Sequence, residues 1–312
     1  MISVVIPSYN GVSILKQTLA HNMKALSQYA CEFIVVDDAS TDESVAFLKT
    51  EFADVKVVAL RTNSRFSAAC NAGIKAASHA YILLLNNDML IHELDLPKIL
   101  AYLDEEDCFS VTPKIIRKQD RDVNESVGMA WFKGGMVRTE NVSMIRPDYP
   151  FKEKELVFWG CGGALFLSKE KFEMIDGFDP ILFHPFYCED LDLCYRASLR
   201  GWKNYYSTLG NFEHFHQQTI GKLSPSFVRK IHDRNKYFFI WKNIRDPFML
   251  GSHALSILVY LLTFRFRELY LVLLCIVRLP DIIKQGRKNL RLKTDKELFA
   301  PFLDKYQLLK SR

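Results

Sequence analysis

Apolar, strand-like runs alternate with helical segments through the first ninety residues, and this alternation constrains the fold more than any other feature. Each run is rich in Val, Ile or Leu, and the four runs occupy residues 2–7, 32–38, 55–60 and 81–86. The segments between them, at about residues 12–29, 43–52 and 66–77, have the pattern of helices. Apolar strands that helices separate indicate parallel strands buried on both faces. We therefore predict an α/β fold with a doubly wound, mostly parallel sheet flanked by helices.

Polar residues stand at the end of every one of these strands. They are Tyr9 and Asn10, Asp37 and Asp38, Asn63, and the run Asn86-Asn87-Asp88. In such sheets ligands bind beyond the carboxyl ends of the strands. Asp88 directly follows an apolar run, and a carboxylate there is costly unless something pairs with it. A hard divalent cation that shares oxygen ligands with a substrate phosphate is a suitable partner.

Three later segments carry further candidates for chemistry. WGCGGALFLS (159–168) reads as a glycine-rich turn that leads into a strand, and CEDLDLCYRASLRGW (188–202) as a helix with an acidic start. EHFH (213–216) supplies two histidines. Between residues 108 and 158 we expect strands, but their register does not follow from the pattern.

The basic character of the chain is concentrated near its C-terminus. The net charge is +5 over 312 residues, yet residues 265–293 alone hold eight Lys or Arg against two Asp or Glu. This distribution argues against a nucleic-acid-binding protein and for a tail that meets an anionic surface. Residues 247–264 carry no Asp, Glu, Lys or Arg. A transmembrane helix, an interfacial helix and a buried core helix all fit, and the basic flanks favour peripheral membrane contact through residues 247–293.

The cysteines and the N-terminus favour the cytoplasm. The seven cysteines form no CxxC pair, which is typical of free thiols in a reducing compartment. The first residues, MISVVIP, lack the basic region and the long apolar run of a signal peptide. Together with the basic tail, this predicts a protein at the inner face of the plasma membrane.

Seven segments occur in an order that resembles inverting family 2 glycosyltransferases of the GT-A fold. They are SVVIPSYNG (3–11), VDDASTDES (36–44), NSRFSAACNAGI (63–74), LLNND (84–88), CGGALFLSKEKFEMIDGFDP (161–180), EDLDLCYRASLRGW (189–202) and HFHQQTIG (214–221). Within that family the pattern is similar to bacterial rhamnosyltransferase-like enzymes that build cell-surface polysaccharide. The resemblance implies a Rossmann-like GT-A catalytic domain at residues 1–245, with a nucleotide half (1–107) and an acceptor half (108–245). Residues 246–312 then form a helical extension.

The resemblance also implies a nucleotide pocket. Tyr9 would lie over a pyrimidine base and Asp38 would accept a hydrogen bond from its imide edge, which suits a carboxylate. Asn87 would face the ribose. The full set of nucleotide-binding residues that it implies is Pro7, Tyr9, Asn10, Asp38, Asn63, Asn71 and Asn87.

The remaining roles concern the metal and the acceptor. Asp88, with His214 or His216, would bind Mn²⁺ or Mg²⁺, and Asp190 would be the general base. The acceptor would lie against Gly162, Gly163 and Glu189.

The chain departs from the family pattern at two places. Arg65 stands where members often have Gly, and Asn86-Asn87 replace acidic residues, so a nucleotide would have to complete the metal site.

We thus expect transfer of a sugar from dTDP-rhamnose or a UDP-sugar to a glycan or lipid-linked acceptor. A nucleotidyltransferase would show a glycine-rich phosphate loop with Arg and Lys after the first strand, and PSYNGVS lacks one. A non-catalytic nucleotide-sugar-binding protein would be expected to lose the base, whereas Asp190 is present.

Overall fold

The computed structural model describes residues 1–118, 123–215 and 224–311. Within these ranges the chain forms a nine-stranded sheet flanked by helices, and a separate two-stranded hairpin. The predicted α/β class is confirmed.

The first half of the sheet has the predicted alternation. Its elements are β1 (Ile2–Ser8), α1 (Val12–Ala25), β2 (Cys31–Asp37), α2 (Ser44–Glu51), β3 (Lys56–Ala59), α3 (Arg65–Ala76) and β4 (Tyr81–Leu85). The four strands are parallel, in the order β3-β2-β1-β4. Helix α1 ends four residues before the predicted end, and a turn follows it. The carboxyl ends of these strands therefore lie on one edge, as expected.

The second half of the sheet is mixed. Its elements are β5 (Met89–Leu94), α4 (Leu96–Leu103), β6 (Cys108–Arg117), β7 (Gly128–Lys133), β8 (Met136–Asn141), α5 (Val142–Ile145), β9 (Lys154–Val157), β10 (Ala164–Ser168), α6 (Lys169–Met174), α7 (Glu189–Leu199) and β11 (Lys203–His214). Strand β10 is antiparallel to both β4 and β6, so it joins the two halves. Strand β11 is parallel to β6 and antiparallel to β5 and β9.

A hairpin explains why residues 108–158 have no clear register in the sequence. Strands β7 and β8 pair only with each other and turn at Gly134 and Gly135, whose φ angles are +59° and +72°. Two consecutive residues with positive φ form the turn that suits a two-residue hairpin, and glycine adopts it without strain.

Five helices complete the C-terminal part. They are α8 (Pro225–Asn243), α9 (Pro247–Leu262), α10 (Phe266–Val277), α11 (Leu279–Gly286) and α12 (Asp295–Lys310). The predicted boundary at residue 245 falls between α8 and α9. Helix α12 is packed on the segment before that boundary, because Phe299 and Phe302 share a buried cluster with Phe158, and Trp131 stacks on Tyr306 with their ring centroids 3.9 Å apart. Among the residues described, no helix has both the length and the apolarity that crossing a membrane requires.

Candidate active site

The loop after β1 is tied to the loop after β2. Asn10 has a φ of +47°, and its Oδ1 accepts hydrogen bonds from the backbone N–H groups of Thr41 at 2.7 Å and Asp42 at 3.3 Å. Tyr9 beside it is 42% exposed, whereas Pro7 is half-buried in β1. Asn10 thus shapes the loop that presents Tyr9. Contacts of Pro7, Tyr9 and Asn10 with a nucleotide stay predictions.

Asp38 is buried and caps helix α3 from the neighbouring loop. Its two carboxylate oxygens accept the backbone N–H groups of Ser64 at 2.6 Å and Arg65 at 2.8 Å. These N–H groups lack partners within the helix, and a carboxylate there also suits the helix dipole. Each carboxylate oxygen still has a lone pair that could accept the N–H of a nucleobase, and this contact stays a prediction.

Asn63 and Asn71, two further asparagines of the predicted nucleotide pocket, differ in their hydrogen bonding. Asn63 Oδ1 is buried, as is Asp37 Oδ1, and neither accepts a hydrogen bond from any residue that the structure describes. Buried acceptors nearly always have a donor, so this edge is suited to a polar ligand. Asn71 instead uses both ends of its amide, because Nδ2 donates to the Phe178 carbonyl at 2.9 Å and Oδ1 accepts the Phe178 N–H at 3.0 Å. This pairing clamps α3 to the turn before residue 180, and a nucleotide contact by Asn71 stays a prediction.

The turn between β4 and β5 holds the apolar-to-acidic segment LLNND. Asn87 Nδ2 donates to Ser8 Oγ at 2.9 Å, and the Asn87 carbonyl accepts from Thr18 Oγ1 at 2.8 Å. The N–H of Asn86 donates to the Gly163 carbonyl at 2.8 Å. These contacts fix the turn, so Asp88 is held at the sheet edge with 8% of its surface exposed.

His214, the last residue of β11, lies between two carboxylates. Its Nε2 is 3.2 Å from Asp88 Oδ1, and its Nδ1 is 2.9 Å from Glu125 Oε2. Glu125 is in turn paired with Arg117 on β6. Burial lowers the pKa of His214, but the hydrogen bonds to Asp88 and Glu125 outweigh it and raise the pKa to about 9. The structure therefore brings together two of the predicted metal ligands, and adds a third residue that contacts the opposite side of the imidazole.

The donor atoms fit a divalent cation that a nucleotide completes. In the parts of the chain that are described, no cluster of three or more His, Cys, Asp or Glu could hold a metal ion. Asp88 and His214 converge as a pair of ligands, and Mg²⁺ or Mn²⁺ is commonly held by one or two protein groups together with substrate phosphates and water. His216, the alternative ligand, lies outside the described residues.

The predicted base lies at the start of α7. Asp190 Oδ1 accepts the Leu191 N–H at 2.7 Å, and the Gly162 N–H is 3.5 Å from Oδ2. Burial raises the pKa of Asp190 although these N–H groups and the helix N-terminus favour the anion. Burial and the Asp190 charge raise the pKa of Glu189 well above its usual range. Burial thus raises the pKa of both carboxyl groups, and the role of Asp190 as the base stays a prediction.

The glycine turn lies between the base and the metal-binding pair. A Cβ added to Gly162 would lie 3.5 Å from the Phe66 ring and 3.7 Å from Asp190 Cβ, so this position faces both the base and the start of α3. Next to it, Cys161 lies close to two acids: burial raises the pKa of its thiol to about 12, and the charges of Asp190 and Glu125 add to the effect. Contact of Gly162, Gly163 and Glu189 with an acceptor stays a prediction.

Two features of the site were not evident from the sequence. Glu125 lies in a loop within the segment that had no readable register, and no motif marks it. Arg65 has a φ of +70°, a conformation that glycine adopts without strain. That angle gives a physical reason why related chains often have Gly there, and it places an exposed cation at the start of α3.

Comparison with known families agrees with this geometry. The sequence model of the family described as "Glycosyl transferase family 2" matches residues 3–175, just over half of the chain. The chain belongs to glycosyl transferase family 2. The resemblance inferred from the seven segments is thereby confirmed.

Characterised relatives in this family are distant. The chain is 25% identical over 202 residues to the low-salt glycan biosynthesis hexosyltransferase Agl10 of Haloferax volcanii, covering 63% of this chain and 61% of that protein. It is 28% identical over 159 residues to the rhamnosyltransferase WbbL of Escherichia coli, covering 49% of this chain and 59% of that protein. The chain therefore spans about three-fifths of the length of these two relatives.

Solved structures confirm the GT-A fold. GalNAc-T7, crystallised with UDP, GalNAc and Mn²⁺, superposes with a TM-score of 0.62 at 16% identity, covering 79% of this chain and 48% of that one. Residues 1–349 of S. aureus TarS, in complex with UDP-GlcNAc, superpose with a TM-score of 0.55 at 17% identity, covering 99% and 90% of the two chains. At these identities the likeness concerns the fold alone.

Proposed function

We propose that this chain is an inverting, metal-assisted glycosyltransferase. It would move a sugar from a nucleotide sugar, dTDP-rhamnose or a UDP-sugar, to a glycan or lipid-linked acceptor of bacterial cell-surface polysaccharide, at the inner face of the plasma membrane. One observation carries the proposal: the glycine turn at residues 162–163 contacts both the Asp190 region and the turn that holds Asp88. The proposed base and the proposed metal ligands would thus stand on either side of one turn. WbbL, a rhamnosyltransferase, and Agl10, a hexosyltransferase, support the class of reaction.

The residues of this chain would divide the work. Asp190 would take the proton of the acceptor hydroxyl as that oxygen attacks, which contributes roughly 10²- to 10⁴-fold to the rate. Asp190 is suited to this role because it lies in the first turn of α7, where the helix dipole favours the anion. A single displacement inverts the anomeric centre and needs no enzyme nucleophile, which is consistent with one base on the acceptor side.

The donor would be held at the strand ends. Tyr9, Asp38 and Asn63 would hold the nucleoside, and Asp88 with His214 would bind a divalent cation, Mn²⁺ or Mg²⁺, together with the diphosphate. When bound, such a cation neutralises the charge that develops on the departing diphosphate.

The test is a screen of UDP-, dTDP- and GDP-sugars, each with Mn²⁺ and with Mg²⁺, by thermal unfolding. A ligand that binds the folded chain raises its melting temperature with concentration. The stabilising donor is then assayed for transfer to simple glycosides, and the anomeric configuration of the product is read by NMR. We expect stabilisation that needs both sugar nucleotide and metal, and an inverted product.

Asp88→Ala should remove both the metal-dependent stabilisation and the transfer. Asp148→Ala is the matched control, because the Asp148 side chain is 79% exposed and far along the chain from these motifs. Transfer by Asp88→Ala that withstands EDTA would contradict the metal site. Nucleotide binding without transfer to any acceptor would favour the non-catalytic alternative, and a product of retained configuration would exclude the inverting mechanism.

A further inference from the structure

The outer side of helix α9 exposes apolar residues at helical spacing. Leu255, Leu258, Val259 and Leu262 stand at i, i+3, i+4 and i+7, and each is between 45% and 71% exposed. This spacing places side chains on one face of a helix, and that face normally packs against a protein core. Here it faces outward, without a partner among the residues described.

Helix α10, which packs against α9, also exposes an apolar side. Phe266, Tyr270, Leu273 and Val277 are between 43% and 74% exposed and also follow a helical repeat. The opposite side of α10 is buried, through Leu271, Val272 and Cys275. Helix α10 is thus apolar on both sides, and only one side is buried in the core. We name the eight exposed residues on α9 and α10, together with Phe264 between the helices, the docking face.

Helix α9 lies along the body of the protein. His253 Nδ1 is 2.7 Å from the Gly135 carbonyl, and Ser256 Oγ donates to the Gly134 carbonyl at 3.2 Å. Trp241 Nε1 on α8 donates to His253 Nε2 at 3.0 Å. The inner side of α9 is therefore fixed on the hairpin turn and on α8, and the docking face is presented as a fixed surface rather than as a loose segment.

The amount of apolar surface is unusual for a protein that has no partner there. Residues 248–283 contain fifteen of the twenty-five large hydrophobic side chains that are exposed in the described part of the chain. Monomeric proteins seldom expose a contiguous apolar patch above a few hundred Å², and larger patches mark sites of protein or membrane contact. The concentration of exposed apolar side chains in these residues indicates a site of this kind.

Charge beside the docking face indicates which partner it fits. Helix α11 exposes Leu279 and Ile283 and carries Lys284, and Arg287 directly follows the helix. Neither Lys284 nor Arg287 has a carboxylate within ion-pair distance in the described ranges. Residues 265–293 have a net charge of +6. An apolar face bordered by cations is complementary to a layer of acyl chains beneath anionic headgroups.

We propose that the docking face binds the surface of an anionic phospholipid bilayer. Its apolar side chains enter the boundary between headgroups and acyl chains, and Lys284 and Arg287 contact lipid phosphates. A second copy of the chain is the competing occupant, and its symmetric contact would bring the cations of the two α11 helices toward each other.

The docking face is physically connected to the acceptor side of the site. Arg278, at the end of α10, donates from Nη2 to the Ile181 carbonyl at 3.1 Å, and Arg234 on α8 donates to the His184 carbonyl. Both guanidinium groups thus hold the loop that runs into Asp190. Membrane docking would bring this loop near the bilayer, where a lipid-linked acceptor presents its sugar. This step rests on the proposed function, whereas binding to lipid does not.

Vesicle flotation of the full chain tests the proposal. We expect the protein to float with vesicles that contain phosphatidylglycerol and to bind vesicles of phosphatidylcholine alone much more weakly. The double change Leu258→Glu with Leu262→Glu should weaken binding by more than about a hundredfold, because anions replace two leucines that the bilayer would bury. Lys284→Gln with Arg287→Gln should weaken binding to the anionic vesicles by roughly thirtyfold, since each cation near such a surface contributes about a fivefold factor.

The matched control is Met174→Glu with Leu308→Glu, which makes the same kind of change at exposed residues outside the docking face. It should float like the unmodified chain, and all variants should keep the same melting temperature. Flotation that persists in both the leucine and the cation variants would overturn the proposal. A second result would also overturn it: light scattering shows that the unmodified chain is a dimer and the leucine variant a monomer, and neither protein floats with vesicles. Because flotation requires no sugar transfer, its failure is distinguishable from failure of the proposed activity.

Discussion

Asp190 and Asp192 are two residues apart at the start of α7, yet their surroundings are opposite. Asp192 is fully buried, and its carboxylate accepts hydrogen bonds from Lys242 Nζ at 2.9 Å, Arg196 Nε at 2.8 Å and Asn243 Nδ2 at 2.8 Å. Although burial works against the anion, Lys242 and Arg196 hold the pKa of Asp192 below its usual value. For Asp190, whose hydrogen bonds come from backbone N–H groups, burial dominates and raises the pKa.

We expect this difference to separate a carboxylate that stabilises the fold from one that serves in the chemistry. Lys242 also pairs with Asp179 at 2.8 Å, so the charges around Asp192 are neutralised within the protein. Asp190 has no such cation beside it among the described residues, and its neighbour is the acid Glu189. A carboxyl group with a raised pKa accepts a proton more readily than one whose anion is held by two cations.

Replacing Asp190 should produce the largest effect, and on activity alone. Asp190→Asn removes the base and should lower kcat by about 10²- to 10⁴-fold. Binding of the nucleotide, measured by calorimetry, should change little, since this residue lies on the acceptor side. The melting temperature should not fall, because the change removes a buried charge that has no cation to offset it. Turnover at the unmodified rate would refute the base assignment.

Replacing Asp192 should do the reverse, acting on stability. Asp192→Ala leaves Arg196 and Lys242 buried with fewer acceptors, and breaking a buried ion pair in this way costs about 3–5 kcal/mol of unfolding free energy. Urea unfolding measures the loss, with the exposed Asp148→Ala as control. If the purified variant is folded, its nucleotide affinity should be normal. A loss of activity in Asp192→Ala without a loss of stability would break the distinction between the two aspartates.

Glu125 extends the comparison to a residue that acts through another. Glu125 contacts His214 Nδ1, whereas His214 Nε2, on the opposite side of the ring, faces Asp88. We therefore expect Glu125 to orient the imidazole and not to contact a cation bound at Nε2. Removing such an orienting carboxylate typically weakens metal binding by 10- to 100-fold. We expect Glu125→Gln to reduce the affinity for Mn²⁺ in the presence of nucleotide, measured by EPR of free Mn²⁺.

A structural role alone would give Glu125→Gln a different result. The variant would melt at a lower temperature but bind Mn²⁺ with the affinity of the unmodified chain. Glu105→Gln is a suitable control, because it also removes a carboxylate that pairs with a basic side chain, Lys154, at a distance from the site.

The sequence predicts the nucleotide half well because its information is local. Strand-like runs and the polar residues that end them are visible at β1, β2, β3 and β4, and a parallel sheet then places those ends together. The acidic start of α7 is likewise visible in the residues around Asp190. Local patterns also show that the tail is apolar, but they do not show which sides of α9 and α10 are buried.

What the sequence could not supply depends on contacts between distant segments. The pairing of Glu125 with His214 spans 89 residues, and the clamp between Asn71 and Phe178 spans 107. Lys242 reads as an ordinary basic residue of α8, and only packing shows that it neutralises Asp179 and Asp192. Asn10 and Asn71 likewise make contacts with distant parts of the chain, at positions where the family resemblance implies contacts with a ligand.

Lowering the pH should separate the two aspartates in the unmodified chain. The pKa of Asp190 lies above its ordinary value of 3.8, so kcat/KM should begin to fall at a pH where Asp192 is still ionised, by up to about tenfold per pH unit. Because the pKa values of Asp190 and Glu189 are raised in the folded protein, the folded state binds protons more readily than the unfolded state. Protonating this pair therefore does not lower the free energy of unfolding as the pH falls. Asp192 has a depressed pKa, and its contribution is lost only as the pH falls through that lower value. Circular dichroism should therefore show a folded protein across the acid limb of activity, and simultaneous loss of both would contradict the assignment.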